Sequence, residues 1–134
     1  MGSGNGHKGI TQTLAKFYSN LDYESLSPDT IDRAKYFCLD YLGMALRGSI
    51  MESSAVMRKA VNRISPNGDS ITMGTSLRSA PEYAAMANGC SAHSVEMDDV
   101  ANIASLHPAV PTFPTAFALA DITEVSGRQF ISSI

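Results

Sequence analysis

Two histidines and three acids lie within fifteen consecutive residues: His93, Glu96, Asp98, Asp99 and His107. Imidazole titrates near neutrality, and carboxylates beside it can orient it or share its proton. His93 and Glu96 are three residues apart, so a helix would place them on one face. Asp98 and Asp99 would then fall at the C-terminal end of that helix, where the dipole disfavours negative charge. An acidic pair kept at such a place points to a function.

Three chemistries compete for the cluster. As a metal centre, His93, Asp98, Asp99 and His107 would supply imidazole and carboxylate ligands. Their spacing matches no compact metal motif, and no metal is assigned. As an acid/base centre, the same groups would shuttle protons on a small substrate. As a solvated helix end, they would do nothing, and His107-Pro108 would merely open the next helix. Two histidines and three acids so close together favour chemistry over the solvated end. The third histidine, His7, lies in a Gly-rich lead-in and is read as inert. Cys38 and Cys90 have no base close by in sequence and are read as reduced core thiols.

The elements that must position these residues are helical. Leu14, Phe17, Tyr18 and Leu21 form one apolar stripe on a first helix. Ser27-Pro28-Asp29 is a helix start, with a Ser N-cap, Pro in the first turn and an acid at the positive dipole end. A long amphipathic helix follows to Arg47-Gly48, and Gly43 within it suggests close packing. A third helix is expected from Met51 to Ile64, stopped by Ser65-Pro66-Asn67-Gly68. Ser70–Met73 is the one plausible strand. Ser79-Ala80-Pro81-Glu82 has the form of a capping box that opens a helix to about Val95, rich in small residues. Residues 98–107 read as a loop. The next helix has Pro111 and Pro114 near its start, with Phe117, Leu119, Ala120 and Ile122 on or near its buried side. Ser126-Gly127-Arg128-Gln129 is a further capping box, before a fresh apolar face of Phe130, Ile131 and Ile134. The expected fold is all-α, a bundle of about five helices. Its unfinished last stripe suggests a domain that continues past Ile134.

Composition fits this reading. The chain has 134 residues, 44% hydrophobic and 17% charged, with a net charge of -3, so neither a disordered tail nor a basic nucleic-acid footprint is present. No apolar run approaches the roughly 18 residues that a membrane span needs. The opening Gly-rich segment lacks the apolar region of a secretory signal. Two thiols without such a signal fit a reducing, cytoplasmic setting.

Leu26-Ser27-Pro28, Arg33-Ala34-Lys35 and the run Leu39–Gly48 resemble the opening of the MmgE/PrpD family. The run Asn88–Asp99, His107-Pro108 and Ser126-Gly127-Arg128 resembles that family's N-terminal signature. The resemblance covers residues 10–134, leaving 1–9 as a flexible lead-in. It implies the N-terminal portion of a large helical domain, in proteins that also carry a smaller α+β domain and are usually homodimers. The family includes 2-methylcitrate dehydratase, cis-aconitate decarboxylase and iminodisuccinate epimerase, which work without metal or other cofactor by proton transfer beside a carboxylate. By resemblance, His107 matches an active-site histidine, Glu96 falls where cis-aconitate decarboxylase has an active-site aspartate, and Asp98-Asp99 match an acidic pair. Val100 replaces a frequent Thr, and Glu96 is one methylene longer than Asp. Both differences bear on the substrate.

The resulting expectation is part of a lyase or epimerase acting on a small di- or tricarboxylate. His107, Glu96 and Asp98 are the expected catalytic residues, and His93 and Asp99 the expected substrate-binding ones. The cluster contains no Lys or Arg to hold a carboxylate, and the family's active-site lysines lie beyond residue 134, so the 134 residues are expected to be inactive alone. The alternatives are a helical interaction module and a metal-dependent hydrolase.

Overall fold

Small side chains set how closely the helices approach, and that approach defines the structure. In the computed structural model, which describes residues 9–134, six α-helices follow one another: α1 Ile10–Ser19, α2 Pro28–Gly48, α3 Glu52–Ile64, α4 Pro81–His93, α5 Ala109–Ala120 and α6 Gly127–Ser132. A 3-10 turn, Tyr23–Ser25, precedes α2. Two strands, β1 Ser70–Ile71 and β2 Arg78–Ser79, pair antiparallel with Ser70 opposite Ser79. The mainly helical class expected from periodicity is what forms. The lead-in expected over residues 1–9 lies, Gly9 apart, outside the described residues.

Helix α4 is the centre of the fold and packs against α2, α3 and α5. Its buried face is Ala84, Ala87, Asn88, Gly89, Ser91 and Ala92, so neighbouring backbones come close. Gly48, at the end of α2, shows how close. A methyl group there would sit 1.7 Å from the Ser91 carbonyl oxygen. Against Gly89 lies the carbonyl of Val110, 3.2 Å from where a side chain would begin. Pro114, buried within α5, lacks the N–H that would otherwise bond that carbonyl. Tyr41 and Phe113 stack at 5.4 Å in the main core cluster, with Ala45, Ala92 and Ala109. Asn88 ties the strand segment to α4: its Oδ1 accepts from Met73 N–H at 2.8 Å and its Nδ2 donates to Ile71 O at 2.9 Å.

Several local expectations are met in detail. Ser27 Oγ accepts from Thr30 N–H and Pro28 opens α2. Ser126 and Gln129 form both halves of a capping box at α6. Others change. Gly43 is exposed with open space around it, so the close-packed glycines are Gly48 and Gly89. The sequence pattern at Ser79 does not cap α4. Ala80 is the N-cap without a side-chain bond, because Ser79 is taken into β2 and buried. Pro114 lies inside α5 and not near its start, while Leu119 and Ile122 face outward. The stripe on α1 is real but exposed: Leu14, Phe17 and Tyr18 are each at least half accessible, and α1 ends before Leu21. No helix among the described residues is long and apolar enough to cross a membrane.

Candidate active site

The cluster sits where α4 ends and the loop to α5 begins. His93 is the last residue of α4, a position where the helix dipole favours an imidazolium. Beyond it, Glu96 takes a left-handed backbone conformation, φ 53°, which a non-glycine residue adopts at some energetic cost. That turn ends the helical path and brings Asp98 back under His93. The following loop is closed by Ala101 N–H donating to Leu106 O at 2.8 Å, with Ser105 also left-handed at φ 49°. The closure returns the chain so that His107 meets the same acid.

Asp98 is the hub. Its side chain is 1% exposed, and Oδ2 lies 2.9 Å from His93 Nδ1 and 3.0 Å from His107 Nδ1. The His93 contact is a hydrogen bond. The His107 contact is close but not aligned as one, so His107 Nδ1 and Asp98 Oδ1 are buried polar atoms with no hydrogen-bond partner among the described residues. The two rings stand edge to face, centroids 5.0 Å apart and planes at 69°. The hydrogen bond to Asp98, reinforced by the charges of Asp98 and Glu96, raises the His93 pKa above the ordinary imidazole value, against a smaller opposing effect of burial. Both imidazoles remain partly open to solvent.

The other acids stand apart from this hub. Glu96 is largely exposed, its Oε1 4.0 Å from His93 Nε2. Asp99 Oδ1 accepts from the Ala109 N–H at 3.0 Å, which satisfies one of the free donors at the start of α5, whose own N-cap Pro108 offers none. Thus His93, Asp98 and His107 converge, Glu96 flanks them, and Asp99 braces the helix that follows. The three convergent side chains offer ligand atoms within 4.8 Å of one another, a set that could also hold a cation.

Beside Asp99 runs a groove of about 640 Å³, lined among others by Phe113, Val100 and Arg33. Arg33, on α2, places a guanidinium at this groove, over the Phe37 ring at 5.9 Å. Sequence spacing could not show this, since about sixty-five residues separate Arg33 from Asp99 along the chain. Nor could it show that two imidazoles share one carboxylate oxygen.

The family model of the MmgE/PrpD N-terminal domain matches residues 12–134. The chain belongs to the MmgE/PrpD family. A cis-aconitate decarboxylase-like protein of Aspergillus oryzae is 31% identical over 124 residues, 92% of this chain and 26% of the relative. The cis-aconitate decarboxylase of Aspergillus terreus is 29% identical over 92% of this chain and 25% of its own length. That of Homo sapiens is 32% identical over 115 residues, 85% of this chain and 24% of its own length. The chain therefore spans about a quarter of the length of these curated MmgE/PrpD relatives. The hub lies within the matched residues.

Proposed function

We propose that these residues form the acid/base part of a cofactor-independent lyase or epimerase acting on a small di- or tricarboxylate, within a polypeptide of the relatives' length. The observation that supports this most is the buried Asp98 carboxylate held within 3.0 Å of both imidazoles. A carboxylate hydrogen-bonded to an imidazole, as Asp98 is to His93, fixes the ring and favours its protonated form. The names of the relatives put decarboxylation of cis-aconitate first among the reactions to test.

In this reading His107 transfers the proton. Loss of carbon dioxide from a carboxylate leaves its bonding electrons on carbon, and His107 supplies the proton that forms the new C–H bond. Dehydration or epimerisation would use the same imidazole in the opposite sense, first removing a proton beside a carboxylate. Asp98 orients His93 through a hydrogen bond and places its charge 3.0 Å from His107 Nδ1. His93, with its Nε2 outward and its charge favoured by Asp98, is proposed to meet a substrate carboxylate. Glu96 reaches the same side, and Asp99 is left one oxygen for substrate because Ala109 holds the other. Cationic partners from outside these residues, joined by Arg33 at the groove, complete recognition of a polycarboxylate. The 134 residues alone are then inactive, and the working protein is a cytoplasmic homodimer.

The test is turnover of cis-aconitate and related polycarboxylates by the longer polypeptide, with and without His107→Ala, in the presence of EDTA. Activity that survives EDTA and collapses in the variant supports the reading. Wild-type turnover in a well-folded His107→Ala protein would sink it.

A further inference from the structure

The hub leaves two of its buried polar atoms without a partner among the described residues. One edge is closed by the 2.9 Å hydrogen bond between His93 Nδ1 and Asp98 Oδ2. On the other edge, His107 Nδ1 faces the same oxygen at 3.0 Å without hydrogen-bond alignment. Asp98 Oδ1 is buried beside them with no hydrogen-bond partner, on a side chain only 1% exposed. One ligand atom from each of His93, Asp98 and His107 lies within 4.8 Å of the others, and a cation among them, displacing any proton on the His93 nitrogen, would give the unpartnered His107 Nδ1 a partner.

The spacing suits an ion as well as a proton. Two donors each about 2.0–2.1 Å from one tetrahedral ion stand about 3.3–3.4 Å apart. Oδ2 lies 2.9 Å and 3.0 Å from the two nitrogens, so each edge would open by a few tenths of an ångström to take the ion. Both imidazoles are partly accessible, which leaves a path for entry and room for water on the open side. We infer that His93, Asp98 and His107 form a binding site for a divalent transition ion such as Zn²⁺ or Co²⁺. Two imidazole nitrogens and one carboxylate select such ions over Ca²⁺ and Mg²⁺, which take oxygen ligands. Binding stands on geometry alone. Its consequence rests on the proton-transfer reading above: an ion on these lone pairs occupies the groups that would carry the proton, so it inhibits the longer polypeptide and does not activate it.

The probe is Co²⁺ added to the 134-residue chain, read by its visible ligand-field absorption, with Zn²⁺ as competitor. The expected result is a saturable spectrum at one ion per chain, displaced by Zn²⁺ and untouched by excess Ca²⁺. His93→Gln and His107→Gln should each weaken binding by at least about tenfold, with unchanged helical circular dichroism. His7→Gln, a control for the lead-in, should bind as the wild type does. No saturable spectrum, or wild-type affinity in both hub variants, overturns the inference. Zn²⁺ that binds the hub yet activates the longer polypeptide would leave the site standing and overturn the proton-transfer reading instead.

Discussion

The close approach of α2 to α4 at Gly48 gives a sharp test of how the site is held. Gly48 meets α4 at Ser91 and Ser94, the residues on either side of the Ala92-His93 pair. An alanine at position 48 would put its methyl carbon 1.7 Å from the Ser91 carbonyl oxygen, 2.7 Å from its carbonyl carbon and 2.9 Å from Ser94 Oγ. Backbone cannot rotate out of the way, so α2 and α4 must separate by more than an ångström to admit it. Overpacking of this kind costs about 3 kcal/mol or more at the severe end, while the better helix propensity of alanine returns about 1 kcal/mol. The net loss for Gly48→Ala is therefore about 2 kcal/mol or more. For a chain of this size that lowers the melting temperature by about 6–10 °C. Gly43→Ala is the matched control, on the same helix but exposed with nothing within 4 Å of the added methyl. It should gain about 1 kcal/mol from propensity alone. Urea and thermal unfolding followed by circular dichroism would read both. Equal stability of the two variants, or a more stable Gly48→Ala, would refute the packing argument and the placement of α4 that depends on it.

Further outcomes follow from the same contacts. His93 binds its proton more tightly in the folded chain than in the unfolded one, where imidazole titrates at about 6.5. Its contribution is thus fully present below that value and is lost as pH rises through the raised folded value. His93→Gln should flatten that part of the stability–pH curve, with Asp98, Glu96 and His107 as the charged or titratable groups facing it. Asn88→Ala takes the partner from the Met73 N–H and from the Ile71 carbonyl, both part-buried, and should cost about 1–3 kcal/mol by urea unfolding. Asp99→Ala should lose about 1 kcal/mol through the start of α5, while Asp99→Asn, which can still accept from Ala109, should lose less.

Much of this is legible in the amino-acid sequence wherever local rules act unaided. Ser27-Pro28 and Ser126–Gln129 announce their helices because caps are satisfied within one turn of chain. The acid–imidazole cluster is legible from residue type and closeness along the chain. What stays hidden depends on distant partners. Ser79 resembles a cap but pairs with Ser70 in a sheet, and a strand partner leaves no trace in a four-residue pattern. Gly43 lies inside the helical pattern and Gly48 at its end, but neither local context shows that Gly48 is the one facing Ser91 and Ser94 across the interface. The division of labour between Asp98 and Asp99 is equally hidden. Adjacent and chemically identical, they point one to the two imidazoles and the other to the Ala109 amide.

The proposed function turns on His107, beside Asp98, carrying a proton to or from carbon beside a carboxylate. The most direct measurement is deuterium incorporation into product when the longer polypeptide turns over cis-aconitate in heavy water. One solvent deuterium is expected at the new C–H bond, formed about 10²–10⁴-fold more slowly in a folded His107→Gln protein. Undiminished deuterium transfer in that variant would contradict the role given to His107.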